Sequence, residues 1–141
     1  MSRAIKGLLK VINAIIILAL LLILTMNVYM IIAKNVLNIP FPSFFGYSNA
    51  VVVTGSMAKS IEVDDMVIIH KQNKYSVGDI ISFKGKNSLV THRIVGTNVN
   101  GFITKGDANN SIDIETVPQA SIIGKVVLVI PKVGKLTGYF S

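Results

Sequence analysis

The sequence predicts a mainly β protein: one N-terminal transmembrane helix followed by a small antiparallel, barrel-like β domain. Three observations carry that prediction. Val11 to Ala33 are 23 consecutive residues without a formal charge, rich in Ile and Leu. Beyond residue 50, short apolar and β-branched runs alternate with turn-forming clusters of Gly, Asn, Ser and Lys, the rhythm of an all-β barrel or sandwich. No stretch of that region carries an amphipathic helical period. At 141 residues the chain suits one domain plus one appendage.

As a helix, residues 11 to 33 reach about 35 Å, enough for a hydrocarbon core of roughly 30 Å. Asn13, Thr25, Asn27 and Tyr29 are the few polar members. A cleaved signal peptide has a shorter apolar region and a small-residue cleavage site. Here Lys34-Asn35-Val36 follows, so the segment reads as a retained, single-pass anchor. Arg3, Lys6 and Lys10 precede it and Lys34 is the only nearby charge after it. The positive-inside rule then places the amino terminus in the cytoplasm and the remainder on the far side of the cell membrane, or of the endoplasmic reticulum membrane in a eukaryote. The expected organisation is a basic tail (1–10), an anchor (11–33), a juxtamembrane linker (34–49) and an extracytoplasmic β domain (50–141). In the linker, Pro40 and Pro42 stop the helix. Phe41, Phe44, Phe45 and Tyr47 suit either an interfacial belt or a linker packed on its own domain.

Composition narrows the chemistry. Without cysteine there is no disulfide framework and no thiolate metal site, and no cofactor is expected. The net charge is +7, but three of the 14 basic residues precede the anchor, leaving 11 against 7 acidic ones with little clustering. That is a poor footprint for nucleic acid and suits a domain beside an anionic lipid bilayer.

The outer domain turns on Val51-Val52-Val53-Thr54-Gly55-Ser56-Met57. Valine and threonine favour extended backbone, and glycine can bend the chain where other residues cannot. Such a join holds a hydroxyl at the rim of a sheet, near the membrane because few residues separate it from the anchor. Alone, it reads as an ordinary strand and turn, since small polar residues dominate turns for conformational reasons. Further strands are expected at Met66–His70, Ile80–Phe83, Leu89–Gly96, Phe102–Lys105 and Ile122–Pro131, with loops at Ser60–Asp65, Lys84–Ser88 and Gly106–Asp113. A serine nucleophile needs a base that titrates near neutrality, which is imidazole. His92 lies inside an apolar strand, whereas His70 ends a strand beside a Lys-rich turn, so His92 is the better candidate. An imidazole base works best when a carboxylate fixes its tautomer, and Asp107 and Asp113 share one Gly/Asn-rich loop.

These residues carry a resemblance. Val51 to Met57 with Asp65-Met66-Val67-Ile68 resembles the first motif block of signal peptidase I. Val77 to Phe83 resembles the next, Thr91-His92-Arg93-Ile94-Val95 the third, and Phe102 to Asn110 the fourth. Ile123-Gly124-Lys125-Val126 and Ile130-Pro131 complete the match, in family order, over about 50 to 134. One branch of that family uses a Ser-Lys dyad. The endoplasmic-reticulum-type branch, found also in archaea and sporulating bacteria, has histidine at the base position, as His92 does here. The resemblance implies Ser56 as nucleophile, His92 as general base and Asp113 as orienting acid. Asp107 is then a second important carboxylate, and the Ser56 N–H with the Thr54 hydroxyl forms the oxyanion hole. It further implies a membrane-anchored serine endopeptidase acting on signal-peptide-bearing preproteins, with any helper subunits unspecified. The sequence departs from the family in reading Ser56-Met57-Ala58-Lys59 where Ser-Met-Glu-Pro is usual. That removes a φ restraint and brings in Lys59 as a rival base. A protease dedicated to one or a few clients and a non-catalytic anchored β scaffold are the alternative functions.

Overall fold

The computed structural model describes residues 3–37, 41–86 and 88–137. Asn38, Ile39 and Pro40 of the expected linker, and Asn87 of an expected turn, lie outside the described residues. The chain divides into two compact units, Met1–Phe44 and Phe45–Ser141.

In the first unit, a proline-free run of Ile, Leu and Ala forms one continuous helix, α1 (Arg3–Asn35, 33 residues). It starts ahead of the expected anchor and takes in Lys6 and Lys10. Lys34 lies in the last turn, where a cation meets the negative end of the helix dipole. Two polar side chains fold back onto the helix backbone: Thr25 Oγ1 donates to Leu22 O at 2.9 Å and Asn27 Nδ2 to Ile23 O at 2.7 Å. Their hydrogen-bonding capacity is thus partly met without water. The helix is long and apolar enough to cross a membrane.

The second unit is a six-stranded antiparallel sheet: β1 (Tyr47–Val51), β2 (Met66–His70), β3 (Ile80–Lys84), β4 (Leu89–Asn98), β5 (Gly101–Lys105) and β6 (Ile122–Ile130). Five of these fall where the sequence places strands. Their order in the sheet is β1-β2-β6-β3-β4-β5, so the last strand fills the centre and β2 never pairs with β3. Successive side chains point to opposite faces, and both faces are apolar. Ile81, Phe83, Ile94, Val117 and Ile122 form one buried cluster, while Met57, Ile61, Val67 and Ile69 form the other. Adjacent residues such as Ile80 and Ile81, or Leu89 and Val90, serve different clusters. This is why the strands read as continuous apolar runs.

The sheet is not closed: β1 and β5 are its two edges. The outer side of β5 is occupied instead by Val117, whose N–H donates to Phe102 O at 2.8 Å and whose carbonyl accepts from Phe102 N at 2.9 Å. Register shifts interrupt the ladder in β2, β3 and β4; such bulges bend strands.

β1 begins at Tyr47, inside the stretch expected to be linker, and ends at Val51 rather than Val53. Its partner strand overrides local propensity, since Tyr47 pairs with His70 and their rings stack at 4.2 Å. After β6, Lys132 N donates to the buried Asp65 carboxylate at 3.1 Å, and a short helix α2 (Val133–Thr137) follows. The hydrogen bonds from Glu62 N and Lys132 N hold the Asp65 carboxyl below its ordinary value.

Candidate active site

Three elements supply the side chains. Ser56 sits in a 3-10 turn (Gly55–Met57) just past β1, His92 lies in β4, and Asp113 lies in the loop after β5. The turn is fastened by its own neighbour. Met57 is buried in a core cluster, an anchor of about 1.5–3 kcal/mol, and this fixes the direction in which Ser56 projects. Ser56 O accepts from Ala108 N at 2.9 Å, tying the turn to the loop that carries both candidate aspartates. That loop approaches so closely that a Cβ on Gly106 would lie 2.6 Å from Ser56 O. Gly106 is therefore required by space.

Gly55 differs from expectation. Its φ is not in the left-handed region, and a Cβ there would meet nothing within 4 Å, so the bend needs no glycine. The backbone instead takes left-handed values at Lys59 (φ 78°) and Asp64 (φ 71°). Lys59 N donates to Glu62 Oε1 at 3.0 Å. Proline, with φ fixed near −65° and no N–H, cannot occupy position 59 in this turn.

His92 Nε2 lies 3.2 Å from Ser56 Oγ, and His92 Nδ1 lies 2.6 Å from Asp113 Oδ2. Donation from Nδ1–H to the carboxylate leaves Nε2 as the acceptor for the serine hydroxyl, the tautomer a general base needs. The imidazole is buried beneath an edge-on Phe83 ring at 6.4 Å. Thr54 Oγ1 is 3.4 Å from Ser56 Oγ. Ser56, His92 and Asp113 are thus brought into one hydrogen-bonded line, with the Thr54 hydroxyl beside it.

Asp107 is not in that line. Arg93 Nε donates to its Oδ1 at 2.8 Å and Arg93 Nη2 to its Oδ2 at 2.6 Å. The Ser60 hydroxyl donates to the same carboxylate, and Asp107 N–H points at Met57 Sδ at 3.4 Å. Arg93 pulls the Asp107 carboxyl below its ordinary value against a partial desolvation penalty, with Ser60 assisting; the pairing in turn raises Arg93. Consecutive residues of β4 therefore divide the two aspartates: His92 takes Asp113 on one side and Arg93 takes Asp107 on the other. His70 stacks on Tyr47 at the end of β2, and Lys59 is exposed.

No family model matches the chain, and no match was found among curated proteins.

Two residues escaped sequence reasoning. Thr104 of β5 is fully buried, and its hydroxyl donates to Asp113 Oδ2 at 2.6 Å, the oxygen that also faces His92. The Asp113 N–H returns a bond to Thr104 O at 2.8 Å. Arg93 fastens the Ser56 turn through Asp107 and also donates to Gly78 O at 2.9 Å. The only sequence signal for either was a polar residue inside an apolar strand. Its partner depends on pairings that a linear reading does not reveal.

A cleft of about 560 Å³ opens beside the serine, between Val52, Val53 and Thr54 on one wall and Leu89 and Thr91 on the other. Val52 is bonded to Asp64 and Asp65 through both main-chain groups. By the alternation of an antiparallel ladder, the main-chain groups of Val51 and Val53 face away from β2. Among the described residues no strand pairs with that side of β1.

Proposed function

We propose that the chain is a membrane-anchored serine endopeptidase that removes signal peptides from exported preproteins. The observation that carries this reading is the Ser56–His92–Asp113 line, with contacts of 3.2 and 2.6 Å. In this reading Ser56 attacks the scissile carbonyl while His92 takes its proton. The Ser56 N–H and Thr54 hydroxyl steady the oxyanion, and His92 protonates the leaving amine before water releases the acyl-enzyme. The preprotein lies extended along the free edge at Val51 and Val53, since strand addition uses main-chain hydrogen bonds and reads alternate side chains through pockets. The narrow apolar cleft suits small residues before the cut. α1 serves as a transmembrane anchor with a cytoplasmic amino terminus, and holding enzyme and substrate in one bilayer raises their effective concentration. A barrel-like coiling of the open sheet belongs to the same reading and is supported by its three register shifts.

The test is co-expression with a reporter preprotein. Ser56→Ala and His92→Ala abolish processing, and His70→Ala retains it. Thr54→Ala, which removes one oxyanion donor, loses about 10²–10³ in rate and less than Ser56→Ala does. Processing that survives His92→Ala but fails in His70→Ala overturns the base assignment.

The turn at Ala58-Lys59 favours a second reading, a protease dedicated to one or a few clients. The left-handed backbone at Lys59 changes the segment directly after the nucleophile. Processing of several unrelated preproteins excludes this reading; processing of one or two excludes the general one.

A further inference from the structure

The serine cleft accounts for only half of a bound peptide. A second and larger cleft, about 920 Å³, opens on the other side of His92, with Phe83, Val90, Ile112, Asp113 and Ile114 in its wall. It holds Asp113 and not Ser56, whereas the first cleft holds Ser56 and not Asp113. Val90, His92 and Asn109 line both, so the two form one path divided at the imidazole. Its volume lies within the usual range for ligand sites, which combine apolar walls with a few polar groups.

We infer that this second cleft is the site for the leaving peptide, the residues that follow the scissile bond, and that it selects apolar side chains there. The inference rests on the peptidase reading. The base that takes the serine proton must hand it to the leaving nitrogen, so that nitrogen comes within reach of His92 Nε2. A chain entering along Val51–Thr54 and cut at Ser56 therefore leaves past His92, and the surface beyond His92 is this cleft. Its chemistry is set by apolar groups placed where a polar loop has no structural need of them. Ile112 and Ile114 flank Asp113 on either side, and they are 55% and fully exposed. Val90 shares the His92 face of β4, two residues away, with Phe83 buried below. The charges at the rim, Lys86 and Glu115, neutralise each other at 2.6 Å. Apart from the Asp113 carboxylate, which His92 and Thr104 engage, the apolar groups of this wall favour an uncharged apolar segment over a polar one.

The experiment uses the full chain in detergent micelles and three peptides identical up to the scissile bond. After the cut, one ends in Ala-amide, one in Ala-Leu-Leu-amide and one in Ala-Ser-Ser-amide. A pocket contact of this kind is worth about tenfold in kcat/KM. The Leu-Leu peptide is therefore cleaved about tenfold better than either of the others. The double variant Ile112→Ser, Ile114→Ser removes most of that advantage and leaves Ala-amide cleavage unchanged. Equal cleavage of all three peptides by the parent chain overturns the inference, as does an advantage that survives the double variant or loss of Ala-amide cleavage in that variant. If none of the peptides is cleaved in a Ser56-dependent manner, the peptidase reading itself falls, and the inference with it.

Discussion

In the proposed peptidase, Asp113→Asn separates two contributions that a carboxylate makes to an imidazole base. In a triad whose histidine bond can be replaced by a donating amide, the asparagine forces the wrong tautomer, and the loss is on the order of 10⁴. Here the geometry differs. His92 Nδ1 at 2.6 Å and Thr104 Oγ1 at 2.6 Å converge on the same oxygen, Oδ2. An asparagine can present its carbonyl oxygen to both donors and turn its amide toward the open side of a side chain that is 23% exposed. The tautomer survives and only the charge is lost. Unit charges about 4 Å apart interact by about 4 kcal/mol at an effective dielectric of 20. Partial exposure reduces this to about 2–3 kcal/mol, a loss of roughly 30- to 150-fold in kcat/KM. Asp113→Ala, which leaves Nδ1 without an acceptor, falls much further. Adding Thr104→Val to Asp113→Asn frees the amide to rotate and lowers the rate about another tenfold, as loss of a hydrogen bond worth about 1.5 kcal/mol requires. The assay is steady-state cleavage of a fluorogenic peptide by the full chain. A loss in Asp113→Asn as deep as in His92→Ala refutes the convergent-oxygen argument.

Three further expectations concern the nucleophile turn. Lys59→Pro, which restores a residue usual in the resembling family, destabilises the domain by about 3 kcal/mol or more, because φ at this position is +78° and the N–H is engaged. Lys59→Gly maintains or raises stability; thermal unfolding checks both. Gly106→Ala lowers both the melting temperature and activity because its Cβ would press on Ser56 O at 2.6 Å, whereas Gly55→Ala, with nothing within 4 Å, leaves stability within about 0.5 kcal/mol. Asp107 has a depressed folded value, so its pairing with Arg93 contributes fully above the ordinary carboxylate value of 3.8 and is lost as pH falls from there through the depressed value. Acid unfolding of Asp107→Asn is therefore less steep below pH 3.8 than that of the parent chain.

Much of this architecture was legible in the residues. Five strands announced themselves as apolar runs punctuated by turn residues, and α1 by its length and hydropathy. Chemistry and a resemblance single out Ser56, His92 and Asp113, and His92 lies within hydrogen-bonding distance of both others. What was hidden depends on partners distant in sequence. The start of β1 at Tyr47 follows from its pairing with β2, against the weak propensity of Tyr-Ser-Asn-Ala. The converging donors on Asp113 need β5 beside β4, and the Arg93–Asp107–Ser60 knot joins residues 47 positions apart. Composition places the bend after the valines at Gly55, yet the unusual backbone angle falls on Lys59, a residue whose type gives no warning.

The position of β6 has a consequence for synthesis. The Ser56 turn hangs from the β1–β2 ribbon and His92 from the β3–β4–β5 ribbon, and among the described residues the sheet hydrogen bonds join these ribbons through residues 122–130. A chain still emerging from the ribosome carries Ser56 and His92 with no ladder to align them. Long-range pairings of this kind form late, so on the proposed reading the alignment of Ser56 with His92 is completed as this strand joins the sheet.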